Sequence, residues 1–239
     1  MNLEISGKVA IVTGASKGLG FGAAKALSEE GCRVVLCARG ADELEKAAAQ
    51  LPGESLTVAA DVTQPGVPAQ LVAAAMERFG SVDIVVGNSG GPPPGRALDV
   101  TDDAIAAAVN ANLTTSVRLV RESVPHMRAN HWGRICLITS FSIKEPIPTL
   151  ALSNLARTGL WAWAKTAAAD LFPDGITLNL LAPGLHATER AKNLGVAPGT
   201  PMGDPDDFGK IVAFFCSEPA KFVTGTALPV DGGAVRGLL

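Results

Sequence analysis

The chain has 239 residues, of which 47% are hydrophobic and 18% charged, and its formal net charge is −3. It shows no basic block, which speaks against nucleic acid, and no apolar run long enough for a membrane, because Lys165, Asp170 and Pro173 interrupt the Ala-rich region near 160. Met1-Asn2-Leu3-Glu4 lacks the basic and apolar regions of a signal peptide, and Cys32, Cys37, Cys136 and Cys216 lack metal-ligand spacing, so reduced, packed thiols in a cytoplasmic protein are expected.

Taken in order, short apolar runs at 8–13, 33–37, 55–60, 82–87, 134–139, 176–181 and 226–230 read as strands. Longer amphipathic stretches at 19–30, 41–51, 65–79, 101–129, 150–172 and 205–217 read as helices. This alternation predicts an α/β fold, a single doubly wound (Rossmann) parallel sheet with helices on both faces, spanning one domain over 1–239. Ligands of such sheets bind at the carboxyl ends of the strands. Two Gly/Pro-rich stretches, 90–95 and 195–205, fall just beyond strand-like segments. They read as loops at the rim of a site, the second a candidate lid, with plain linkers as the alternative.

The first strand runs into Thr13-Gly14-Ala15-Ser16-Lys17-Gly18-Leu19-Gly20 and then a helix. Glycines allow backbone to approach an anion, and the free N–H groups of the helix N-terminus stabilise it. Gly14, Ser16, Lys17, Gly18, Leu19 and Gly20 are therefore candidate pyrophosphate ligands. Arg39 follows the second strand, where a dinucleotide site selective for NAD carries an acid and one for NADP a base. Lys17 and Arg39 around one ribose favour NADP(H) by charge complementarity. Asp61 and Val62 end the third strand, where a carboxylate can accept from an adenine amino group; Asp61 as a helix N-cap is the competing explanation.

The fourth strand ends in Gly87-Asn88-Ser89-Gly90, small residues that allow close approach of a cofactor. At this point the chain resembles the short-chain dehydrogenase/reductases, in particular 3-oxoacyl-carrier-protein reductases. Thr13–Gly20 is similar to that family's TGxxxGxG, and Gly87–Gly90 stands where NNAG is usual. Asn112 matches a mid-helix asparagine, Ile138-Thr139-Ser140 the strand that ends at a catalytic serine, Pro183-Gly184 with Thr188 a PGxxxT, and Val230–Gly233 the C-terminal DGG. The resemblance implies that Asn88, Gly90, Pro183, Gly184 and Thr188 join the cofactor site. It also implies a dimer or tetramer through helices 101–129 and 150–172, in keeping with the apolar, small-residue character around Trp161 and Trp163.

One part of the pattern departs. The family places a tyrosine thirteen residues after the serine and a lysine four further on. Here those positions hold Ser153 and Arg157, and the chain contains no tyrosine at all. A phenol can be tuned to donate a proton near neutrality, whereas a serine hydroxyl is shorter and far less acidic. Arg157 keeps its charge, so it could hold ribose hydroxyls and polarise a substrate but not relay protons. Asn112, Ser140, Ser153, Arg157 and His186 are the candidate catalytic residues, His186 as a proton donor on the PGxxxT loop and Asn112 as the keeper of a helix distortion or a water. Ser142 and Lys144 lie close in sequence to Ser140; His126 and His131 receive no chemical role.

The expected function is an atypical NADP(H)-dependent oxidoreductase acting on a small, partly apolar carbonyl or imine. A catalytically disabled NADP-binding or regulatory protein, and a non-redox dehydratase, isomerase or cyclase, are the alternatives.

Overall fold

The computed structural model describes residues 1–193, 195–197 and 199–238. The Gly/Pro-rich stretch at 195–205 therefore has one residue, Pro198, outside the described residues.

Seven strands form one sheet: β1 (Val9–Thr13), β2 (Arg33–Ala38), β3 (Ser55–Ala59), β4 (Ile84–Gly87), β5 (Gly133–Ile138), β6 (Ile176–Pro183) and β7 (Ala227–Val230). Their order is β3-β2-β1-β4-β5-β6-β7, and every neighbouring pair is parallel. β1, β4, β5 and β6 are buried along their whole length. Helices cover both faces, which is why these segments read as continuous apolar runs rather than alternating ones.

The helices are α1 (Gly18–Glu29), α2 (Ala41–Ala48), α3 (Val67–Phe79), α4 (Asp102–Val109), α5 (Thr115–Ala129), α6 (Ala151–Leu171), α7 (Glu189–Asn193) and α8 (Pro205–Phe215). One core packs α3, α5 and α6 on the sheet through Leu71, Phe79, Leu119, Met127, Leu160 and Leu171. The opposite core packs α1, α2 and α8 through Leu27, Leu44, Phe208 and Val212. Among the described residues, no helix is long and apolar enough to cross a membrane.

The single helix expected over 101–129 is not one. A π-helical turn over Asn110–Thr114 separates α4 from α5. The Thr115 hydroxyl donates to the Asn110 carbonyl at 2.8 Å, and the Asn112 Nδ2 donates to the Ala108 carbonyl at 3.4 Å. Side chains thus take up backbone carbonyls that the widened turn leaves over. α7, which sequence periodicity passed over, is only one turn long, and the helix at 205–217 ends at Phe215.

α1 and α8 cross backbone to backbone. A Cβ on Gly209 would lie 2.1 Å from the Gly22 carbonyl oxygen, and one on Gly22 would lie 2.2 Å from the Pro205 carbonyl oxygen. This pair of glycines holds the start of α8, and the loop before it, beside the glycine turn of β1. At the other end of the sheet, Arg134 is only 2% exposed. Its guanidinium meets Glu218 at 2.8 Å, donates to the Ser217 carbonyl at 3.1 Å, and stacks 4.3 Å from the Trp132 ring centre. A buried cation is tolerated when its donors are satisfied in this way.

Candidate nucleotide site and active site

The turn between β1 and α1 is held from below by Asn88 at the end of β4. The Thr13 hydroxyl donates to the Asn88 carbonyl at 2.8 Å and accepts from the Asn88 N–H at 2.9 Å. Asn88 Nδ2 donates to the Gly14 carbonyl at 3.3 Å. Gly14 and Gly18 have φ of 60° and 59°, in the left-handed region. A Cβ on Gly20 would lie 2.2 Å from the Gly14 carbonyl oxygen, so only glycine permits the turn to close this tightly. α1 starts without a side-chain cap from Lys17 and without an acid in its first turn. Its leading N–H groups and the positive end of its dipole are left for a ligand, and the cradle fits a pyrophosphate. Ser16 is half-buried beside it, and Leu19 turns towards the core.

Thr188 comes down on this turn from the far side. A Cβ on Gly18 would lie 3.3 Å from its methyl carbon. Its hydroxyl accepts from the Ala191 N–H at 3.3 Å and so caps α7. Pro183 ends β6, and Gly184 packs on Asp231, where a Cβ would fall 2.7 Å from the Asp231 Cα. The PG and DGG segments are therefore in backbone contact.

Arg39 is exposed just past the end of β2. Lys17 is also exposed but forms an ion pair with Glu189, the first residue of α7, which raises the Lys17 pKa and lowers that of Glu189. Asp61 accepts from the Thr63 N–H at 3.0 Å and from its hydroxyl at 2.8 Å, which holds the carboxyl below its ordinary range. The N-cap explanation of Asp61 does not hold: α3 begins at Val67, and Gly66 is the residue at its cap. Val62 packs against the core beneath. Gly90 is exposed, with open space where a Cβ would be.

The candidate catalytic residues divide into two groups. Asn112, Ser140, Ser153 and Arg157 gather at the ends of β4 and β5. Arg157 Nη1 donates to the Ile138 carbonyl at 3.1 Å and Nη2 to the Ser89 carbonyl at 3.4 Å. The Ser89 hydroxyl donates to Asn112 Oδ1 at 3.3 Å. Ser140 follows β5 and its hydroxyl oxygen accepts from the Ser142 N–H at 3.2 Å. Ser153 is buried on α6 one turn before Arg157. Arg157 is itself buried, and desolvation, with a smaller push from the Arg190 charge, brings its pKa down to about 10. It is still cationic at neutrality.

His186 stands apart. It is 6% exposed rather than at an open rim. Its ring packs edge-on against Phe208 of α8, and Nδ1 faces the Gly184 carbonyl at 3.2 Å. Among the described residues it has no hydrogen bond to Ser140, Ser153 or Arg157. Lys144 folds away over the Trp161 ring, 4.1 Å from its centre, and the Ser142 hydroxyl is buried with no partner among the described residues.

Two residues that sequence reasoning did not single out belong here. Ser89 links Asn112 to Arg157, and the only signal was its place inside the NNAG-like motif. Arg190 reaches from α7 to donate to the Pro92 carbonyl at 2.9 Å, and nothing local announces that contact. It ties α7 to the first Gly/Pro-rich stretch, while the second pairs through Gly203 N–H with the Leu185 carbonyl at 2.9 Å.

A parallel sheet with its order reversing between β1 and β4, and a glycine turn at that point, defines a dinucleotide-binding Rossmann protein. Residues 14–235 match the family model described as enoyl-(acyl carrier protein) reductase. The chain is 32% identical over 244 residues to human dehydrogenase/reductase SDR family member 4, covering 96% of this chain and 88% of that one. It superposes on L-sorbose reductase from Gluconobacter frateurii, complexed with NADPH and L-sorbose, with a TM-score of 0.93 at 30% identity and full coverage of both chains. It also superposes on a 7α-hydroxysteroid dehydrogenase complexed with NADH and 7-oxo glycochenodeoxycholic acid, with a TM-score of 0.92 at 28% identity over 100% of this chain and 98% of that one. The protein belongs to the short-chain dehydrogenase/reductase family of oxidoreductases.

Proposed function

We propose that the protein is an NADP(H)-dependent oxidoreductase that reduces a small, partly apolar carbonyl or imine compound without a phenolic proton donor. The observation that carries this reading is Arg157. It lies at the ends of β4 and β5, at the position where the family resemblance puts a lysine, with Ser153 where it puts the tyrosine, in a chain with no tyrosine. The NADPH in the L-sorbose reductase complex supports the cofactor, and the cations Arg39 and Lys17 favour its 2′-phosphate.

NADPH, when bound, supplies a hydride to the carbon of a polar double bond. The protein's own part is to position and to polarise. The glycine turn and the N-terminus of α1 hold the pyrophosphate. Arg157, with two donors committed to the Ile138 and Ser89 carbonyls, has others left for ribose hydroxyls. Its charge, retained with a pKa of about 10, stabilises negative charge on the substrate heteroatom without giving up a proton. The Ser140 oxygen already accepts from Ser142, which leaves its O–H free to donate to that heteroatom. The proton that completes the reduction comes from water, or arrives with the substrate if this is an iminium ion. His186, turned onto Phe208 and Gly184, shapes the loop rather than serving as acid.

The test is to follow reduced nicotinamide absorbance with ketones, 3-oxoacyl thioesters and cyclic imines. Turnover of at least one class, lost in Ser140→Ala, is expected. Tight NADPH binding with no turnover across the panel would transfer the protein to the disabled, regulatory reading. We also propose a homo-oligomer, dimer or tetramer, through the helical segments 101–129 and 150–172, where Leu155 of α6 is 48% exposed. Leu155→Glu should then lower the mass measured in solution.

A further inference from the structure

Arg157 and Arg190 are tied to one short loop. Arg157 donates to the carbonyl of Ser89 and Arg190 to the carbonyl of Pro92, so the two guanidinium groups bracket Ser89–Pro92 just past the end of β4. Arg190 lies against Gly91, where a Cβ would come within 2.9 Å of its Nη2. The absence of a side chain there makes room for the guanidinium.

Neither arginine has a carboxylate. Among the described residues, no Asp or Glu lies within ion-pair distance of Arg157 or Arg190. Glu189, next to Arg190 in the chain, is engaged by Lys17. Arg134, the other deeply buried arginine, shows the contrast, since Glu218 meets its charge at 2.8 Å. Arg157 is held by carbonyl dipoles alone, and the nearby Arg190 opposes its charge, lowering its pKa further. The buried charge of Arg157 is costly without a counter-charge, and an anion bound at the exposed Arg190 beside it would offset that cost.

Resting on the oxidoreductase reading above, we infer that the substrate is an oxo acid or imino acid, whose carboxylate is received by Arg190 at the Gly91–Pro92 edge within the positive field of Arg157. The guanidinium fork of Arg190 has donors left after its bond to Pro92, and a carboxylate takes two of them side by side. This gives the pocket a selection rule that the fold itself does not contain: a free acid is preferred over its ester.

Calorimetry on protein saturated with NADP+ compares pyruvate, levulinate and phenylglyoxylate with their methyl esters. At least one acid is expected to bind about 10-fold or more tightly than its ester, the scale of hydrogen bonds to a charged group. Arg190→Gln should bring that ratio close to one, and Arg190→Lys should keep part of it. Equal binding of acids and esters, or no binding of any acid, overturns the inference. So does an Arg190→Gln variant that loses NADPH affinity while its acid-to-ester ratio is unchanged, because the arginine then serves the cofactor phosphates. The two readings fail separately. Acids that bind but are never reduced count against the oxidoreductase, whereas neutral ketones reduced in preference to acids count against the anion site.

Discussion

The hydroxyl of Ser89 donates to Oδ1 of Asn112 across 3.3 Å, joining the end of β4 to the π-helical turn between α4 and α5. Asn112 is 1% exposed, so its amide has no water to fall back on. The Ser89 carbonyl in turn receives Arg157, and the three residues form one chain of contacts beneath the active site. Asn112→Ala should leave the Ser89 hydroxyl and the Ala108 carbonyl short of a partner. A loss of about 1–3 kcal/mol in stability is expected, read from the urea midpoint, with a larger proportional loss of turnover as Arg157 shifts.

The α1–α8 crossing gives the sharpest packing prediction. Gly22→Ala puts a methyl group 2.2 Å from a backbone carbonyl oxygen, where no side chain can swing aside. Overpacking of this kind costs about 1–3 kcal/mol, and the thermal midpoint should fall accordingly. NADPH affinity should fall too, because α8 and the glycine turn are held together at this point.

Nucleotide choice should depend on Arg39. Arg39→Ser is expected to weaken NADPH binding by about 10–100-fold, the scale of charge-assisted contacts, while leaving NADH close to its original affinity. Equal losses for both nucleotides would show that Arg39 does not face the 2′-phosphate.

Glu189 holds Lys17 in an ion pair beside the glycine turn, where the proposed NADP(H) phosphate would need that cation. Glu189→Gln frees the ammonium and removes an anion from the phosphate site. NADPH affinity should rise a few-fold at low ionic strength, and the gain should shrink as salt screens these exposed charges. Titration at two salt concentrations checks both parts.

Glu218 carries a pH signature. The Trp132 indole N–H, followed by Lys221 and Arg134, holds its carboxyl below the ordinary value of 4.5. A carboxylate whose folded pKa is depressed stabilises the fold above its unfolded pKa and loses that contribution as pH falls through the folded one. The stability gap between wild type and Glu218→Gln should therefore be full at neutral pH and shrink as pH falls below the ordinary carboxylate range, through the depressed folded pKa. Arg134→Ala, which removes a buried side chain with its stacking on Trp132 and its bonds to Ser217 and Glu218, should also lower the denaturant midpoint, through lost packing and hydrogen bonds.

All seven strands and six of the helical stretches were legible from periodicity, because the alternation of short apolar runs with amphipathic ones is a local property. The glycine turn was legible for the same reason, since strand, glycines and helix are adjacent in sequence. The break at Asn110–Thr114 was not. It inserts one residue into a helix whose apolar spacing continues on both sides, and only the side-chain bonds of Asn112 and Thr115 reveal it. His186 stood on the expected loop, yet its neighbour Phe208 lies on α8, and that contact turned it inward.

The chain alone determined its fold family, its glycine turn and the absence of a phenol, all matters of residue type and spacing along a line. The charge balance of the site came from tertiary structure. Arg157 meets Ser89 from 68 positions away and Arg190 meets Pro92 from 98 positions away. Whether a cation is buried, and whether a carboxylate lies beside it, depends on what the sheet gathers at the ends of β4, β5 and β6. Burial and Coulomb energy depend on distance in space, to which spacing along the chain is no guide.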